Sequence, residues 1–230
     1  MIDVTVEIEK IINQMDNSLI GSYDVNDGKT YFCKTKWARV GKTIKDSLGN
    51  EFLIQEVAED SYIIAEQKVV TDPVINLDGL CFLTPPFWIT GTKLSTNREW
   101  TIANDHLESK LPLIWMLEVV NETGYGGESA IERDMELNLF FLDETDPAQY
   151  YTKDHRVNVV QPMQNLMVEF IATIKRLRIY KTVTEYTFKT FSRFGVEQDN
   201  GVIENILDAN LSGISLNITL SKYKENCKIC

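Results

Sequence analysis

Histidine is nearly absent from this chain of 230 residues: His106 and His155 are the only two. Each follows an aspartate, but sequence neighbours point in different directions in regular structure, so no base and orienting carboxylate can be read from them. The chain also lacks a Gly-x-Ser-x-Gly elbow, a P-loop, a dinucleotide glycine pattern and a His-Glu-x-x-His helix. Ser129 stands in a glycine-rich loop with no assignable base. Without a catalytic constellation, the expectation is that this is not an enzyme and takes no cofactor. Cysteine is scarce as well, with Cys33, Cys81, Cys227 and Cys230. The terminal Cys227-Lys228-Ile229-Cys230 has the spacing of half a zinc site or of a redox pair, but the other two stand singly and no metal site is expected. No apolar run approaches the roughly 20 residues of a membrane-spanning helix. The start, Met1 to Glu7, has no basic region leading into an apolar stretch, as a secretory signal would. The chain is therefore expected to be made in the cytoplasm with free thiols. Positive charge is the last shortage. There are 23 Lys and Arg against 34 Asp and Glu, a formal net charge of −11. That balance argues against a general nucleic-acid binder and against docking on an anionic membrane. An acidic surface would let DNA pass nearby without sticking.

What the chain does have is periodicity. Val159, Val160, Met163, Leu166, Met167, Phe170, Ile171, Ile174 and Leu177 recur at steps of three and four, which predicts a helix packed by one side against a sheet. Pro162 suits its first turn, where a missing N–H costs nothing. Val4, Ile8, Ile11, Ile12, Met15 and Leu19 predict a second amphipathic helix, with Asp3 as N-cap and Gly21 just past its end.

Strand patterns flank the longer helix on both sides. Leu111–Leu117 is apolar throughout, as a central strand covered on both faces would be. Met135, Leu137, Leu139 and Phe141 alternate with more polar neighbours. Val183–Phe191 is rich in threonine and aromatics, and Ile214, Leu216, Ile218 and Leu220 show the clearest period of two. Asn121–Ala130, with three glycines, reads as a flexible loop, and Val202–Leu207 as a short helix. Residues 96–110 have no clear periodicity. Residues 22–95 differ in character, with short β-rich runs between turn signals such as Leu48-Gly49-Asn50. The expected fold is α+β: an antiparallel sheet with helices packed on one face, from 1–21 and 96–230, plus an inserted small β-barrel or sandwich module at 22–95.

The order of elements from Leu111 onward resembles the tail-terminator and tail-completion proteins of tailed bacteriophages. The residues carrying the likeness are Leu111–Glu118, Met135–Asp146, Val160-Gln161-Pro162-Met163 opening the long helix, and the late strand pair ending in Gly213–Leu216. The helix Val4–Leu19 matches the first helix of that family. The cysteine-containing tail is similar to neck proteins of phages that infect Bacteroidetes, crAss-like phages included. The resemblance implies a non-enzymatic virion protein, made in the host cytoplasm. It would be a subunit of a hexameric or dodecameric ring at the head–tail junction, between tail tube and connector, with DNA passing through. A baseplate or head-stopper subunit, or a non-viral ligand-binding module, are the other readings.

Candidate partner contacts are Glu122, Tyr125 and Glu128 in the glycine-rich loop, Arg133 beyond it, Arg176 and Arg178 at the end of the long helix, and Arg193. For the two helix-end arginines a purely local role also exists, because cations there complement the helix dipole.

Overall fold

The computed structural model describes residues 3–19, 21–24, 29–32, 35–58, 61–69, 79–102, 110–117, 120–125, 132–146, 152–181, 185–197, 203–207 and 209–222. The chain opens with α1 (Val4–Ile12), whose N-cap Asp3 accepts a hydrogen bond from the Thr5 amide. This helix is shorter than its apolar pattern suggests: the chain turns after Asn13, and Leu19 enters a strand.

Seven strands follow: β1 (Ser18–Leu19), β2 (Gly21–Asp24), β3 (Lys29–Phe32), β4 (Thr43–Lys45), β5 (Glu51–Ala58), β6 (Tyr62–Val69) and β7 (Leu80–Phe82). They form one antiparallel sheet in the order β1-β7-β4-β5-β6-β3-β2. That order has two ends, so of the expected barrel or sandwich no closed barrel forms among the described residues, and the strands make one open sheet. The tight loop between β4 and β5 is held by Asp46, whose carboxylate accepts from the amides of Leu48 and Asn50 and from the Asn50 side chain.

The second sheet collects β8 (Phe87–Gly91), β9 (Leu113–Leu117), β10 (Asn121–Tyr125), β11 (Glu132–Glu144), β12 (Tyr186–Phe191) and β15 (Leu211–Ser221). Its order is β12-β15-β11-β9-β8, with β10 also on β11. Two expectations are corrected here. The sheet is mixed, because β8 and β9 run parallel, and α2 (Lys93–Ile102) lies in the crossover such a pair requires. Helices also occupy both faces. Trp100 of α2 packs with Ile89, Leu113, Trp115 and Leu142, on the face opposite the long helix. Residues 22–95 thus supply strands to both sheets.

The long helical run begins at α3 (Thr152–His155), passes through a π-helical turn (Arg156–Val160) and continues as α4 (Gln161–Leu177). Pro162 cannot donate to the carbonyl four residues back, and the wide turn stands where the α-helical ladder is interrupted. The apolar stripe of α4, Met163 to Ile174, is buried against Leu139, Phe141, Ile214 and Leu216. Phe141 and Phe170 meet edge to face with centroids 5.8 Å apart. Ile8 and Ile11 of α1, and Ile44, Ile54, Ile63 and Phe82 of the first sheet, belong to the same core. The two sheets therefore share one interior.

Two remaining stretches also differ from expectation. Asn121–Tyr125, part of the expected loop, is a strand because every residue pairs with β11. Within the expected short helix, β14 (Ile203–Asn205) forms a hairpin with β13 (Gly195–Glu197).

Candidate functional site

Three polar arrangements stand out from the apolar interior: a buried seam, a buried cluster at the sheet margin, and an open trough beside a bare strand. The seam joins the two sheets. Arg39 donates from Nε to Asp143 Oδ2 at 2.6 Å and from Nη2 to Oδ1 at 2.8 Å, a bidentate pair with both side chains largely out of solvent. Beside it, Lys42 Nζ donates to the Leu111 carbonyl at 2.6 Å, and Asn165 donates to the Lys36 carbonyl at 2.7 Å. Lys36 in turn pairs with Asp16 at 2.8 Å. Burial pushes the Asp16 carboxyl up, but hydrogen bonds from Lys36 and Ser18 and the Lys36 charge outweigh it and bring the pKa down to about 2. The Arg39 and Lys42 contacts fasten the first sheet to the second, and Asn165 ties the same segment to α4.

The marginal cluster is built on Glu7 of α1. Its carboxylate accepts from Tyr180 Oη at 2.5 Å and from Lys222 Nζ at 2.6 Å. Burial opposes its ionisation, yet the hydrogen bonds of Lys222 and Tyr180, with the charges of Lys222 and Arg133, hold it below the usual carboxylate range. Burial, and then the adjacent Glu7, push the Tyr180 phenol well above its ordinary value. Ionised Glu7 with neutral Tyr180 ties α1 to the end of β15.

The sequence-proposed contact residues scatter over this frame. Arg133 faces the Glu7 side and pairs with Glu122 at 3.0 Å across β10 and β11. Arg176 donates to the Gln14 carbonyl and to Thr173, and Arg193 donates to Asn205. Arg178 is exposed and closes α4 in the left-handed conformation, with φ 54°. Glu128 lies outside the described residues, as does the side chain of Tyr125. So do His106, Cys33, Cys227 and Cys230. Among the described residues no group of three or more His, Cys, Asp and Glu is placed to hold a metal ion. His155 meets Ser212 through Nε2 and Oγ at 2.8 Å, and burial lowers its pKa. Ser212 is completely buried, so the pair anchors α3 on β15.

The trough was not anticipated from the sequence. Residues directly opposite on paired strands share a face, so the registers align Asn121, Glu136, Thr219, Asn138, Asn217 and Thr187 on one side of the sheet. With Glu185 they line an open cavity of about 700 Å³. Asn121 donates to Glu136 at 3.2 Å, while the buried Asn138 Oδ1 has no hydrogen-bond partner. Further along the same face Phe140, Trp115, Phe191 and Phe194 stack together under cover. One side of the trough is β12, the terminal strand of its sheet among the described residues. Five of its six residues are exposed, including Tyr186 at 39% and Phe188 at 48%, which project toward the helix side. Aromatic residues on an edge strand with a free row of backbone groups form a template for pairing with another chain.

No known protein family, curated protein or solved structure matches this chain.

Proposed function

We propose that this chain is a structural assembly subunit, and that its place is the ring at the head–tail junction of a tailed bacteriophage, as a tail terminator or neck protein. Its partners would be copies of itself, the tail tube and the connector. The observation that supports an assembling subunit most directly is the β12 edge, which has no neighbouring strand among the described residues and carries exposed Tyr186 and Phe188. An edge of that kind invites association unless a partner covers it. The phage assignment rests on the resemblance in element order. In this reading the β1–β7 sheet belongs to a module set between α1 and the β8–β15 core. The formal charge of −11 would keep a DNA path from binding the phosphate backbone.

Mass spectrometry of purified virions tests the assignment. Detection at a stoichiometry of ring copies per particle is the expected result, and absence of the chain from particles would sink it. Position within the particle separates a neck ring from a baseplate or head-stopper subunit.

A second reading is favoured by the trough: a ligand-binding module, with its pocket on the six-stranded sheet. Converging Asn, Thr and Glu side chains beside an unpartnered amide oxygen are suited to a ligand rich in hydrogen-bond donors. A thermal-shift screen of polyhydroxylated and cationic small molecules would favour this reading if saturable stabilisation appeared and vanished in Asn138→Ala.

A further inference from the structure

The residues along the bare edge form a self-complementary pattern when read antiparallel. Glu185, which immediately precedes β12, and Tyr186, Thr187, Phe188 and Lys189 within it run acid, aromatic, threonine, aromatic, base. Against a second copy, with a two-fold axis through Thr187 and normal to the sheet, Glu185 stands opposite Lys189, Tyr186 opposite Phe188, and Thr187 opposite itself. Such an axis keeps each face of the sheet on its own side, so Tyr186 and Phe188 meet on the helix side and the charges meet on the trough side. All five cross-strand positions are then of the favourable kinds: two opposite-charge pairs, two aromatic pairs and one threonine pair. Moving the centre to Phe188 places Lys189 opposite Thr187 and loses both charge pairs. Moving it to Lys189 sets two like charges face to face.

We propose that β12 pairs antiparallel with β12 of a second copy of this chain, in a register centred on Thr187, extending the six-stranded sheet across a two-fold axis. This deepens the assembly reading and rests on its assignment of β12 as a contact surface. The contact is isologous and closes on itself. A ring would therefore need a further surface, and combining the two gives rings stacked in pairs.

The test uses the full chain. Sedimentation at about 100 µM should find dimers or larger even-numbered species. Lys189→Glu and Glu185→Lys should each raise the dissociation constant about tenfold or more, and the double swap should restore association. Rescue of that kind reports the pairing itself, because each single change sits on the surface. Thr187→Cys should give, on oxidation, a disulfide between residue 187 of two copies, found by peptide mapping. Opposed strand residues have Cα atoms about 4.5–5.5 Å apart, within disulfide reach. Phe188→Cys should not link to itself. A monomer at that concentration, a dimer indifferent to both charge changes, or linkage at 188 in place of 187 would each overturn the proposal. The outcomes are separable from the virion test. A chain missing from particles yet linked through residue 187 removes the phage assignment alone, whereas a particle component without this contact removes the edge pairing alone.

Discussion

Two apolar strands of the six-stranded sheet, β9 inside it and β12 at its edge, are made of similar residues and treated oppositely. In β9, between β11 and β8, Ile114 and Met116 face the large core while Leu113 and Trp115 face Trp100 and Phe194, so the strand is buried on both sides. At the β12 end, Tyr186 and Phe188 are equally apolar in type but stay in solvent, and the outer backbone edge has no neighbouring strand among the described residues. A sheet needs cover on an apolar face to be stable, but not cover to its last strand. Among the described residues the β12 edge is therefore open to association, while the covered interior strands sustain the fold.

The sharpest way to break this contrast is to truncate one phenylalanine in the covered interior of the sheet and one on its exposed edge. Phe141→Ala, deep between α4 and the sheet, should lower stability by about 3–5 kcal/mol in urea unfolding. Next in size is the seam. Asp143→Ala strands Arg39 in a largely buried position and should cost about 3 kcal/mol by the same measurement. If the loss were under about 1 kcal/mol, the seam would not be what holds the two sheets together.

A smaller effect is expected from pH. Burial holds the His155 pKa below its ordinary 6.5, so the folded state favours the neutral ring. The unfolded chain takes up the proton first, and the stability this group contributes is present above about pH 6.5 and is lost as pH falls below it. Thermal unfolding from pH 7.5 to 5.5 should fall more steeply for the natural chain than for His155→Gln. Equal slopes would show that the half-buried ring is not the sensor. The smallest change in stability belongs to Phe188→Ala, within about 0.5 kcal/mol, because the ring has little cover to lose. Its effect should appear in association instead.

Much of the frame was legible from spacing. The stripe from Met163 to Ile174, the alternation through Met135–Phe141 and Ile214–Leu220, and the doubly apolar Leu113–Trp115 all lie where their periods put them. The failures share a cause. Helix α2 carries Leu94, exposed, and Trp100, buried, six residues apart, so no apolar stripe announces it. Strand β10 is polar and holds a glycine; pairing with β11, not its own residue preference, makes it a strand. For Val202–Leu207 a short apolar run cannot tell helix from strand, and β13 decided. Of the proposed contact residues, Arg133, Arg176 and Arg193 bond within the chain. The Glu185–Lys189 pattern could be read from the letters, but nothing in them says that β12 is an edge.

What the sequence determined alone was which side of each element is apolar, since periods of two and 3.6 fix the direction of every side chain relative to its backbone. Which of those sides would be covered, and by what, depended on contacts between residues far apart in the chain. The crossover through α2 shields one half of a sheet face and leaves the other half as a trough; β15 takes its neighbours from β11 and β12 and leaves β12 the outermost. Such choices follow from the packing of the whole core, where several elements compete for the same surface, and no local pattern encodes the outcome.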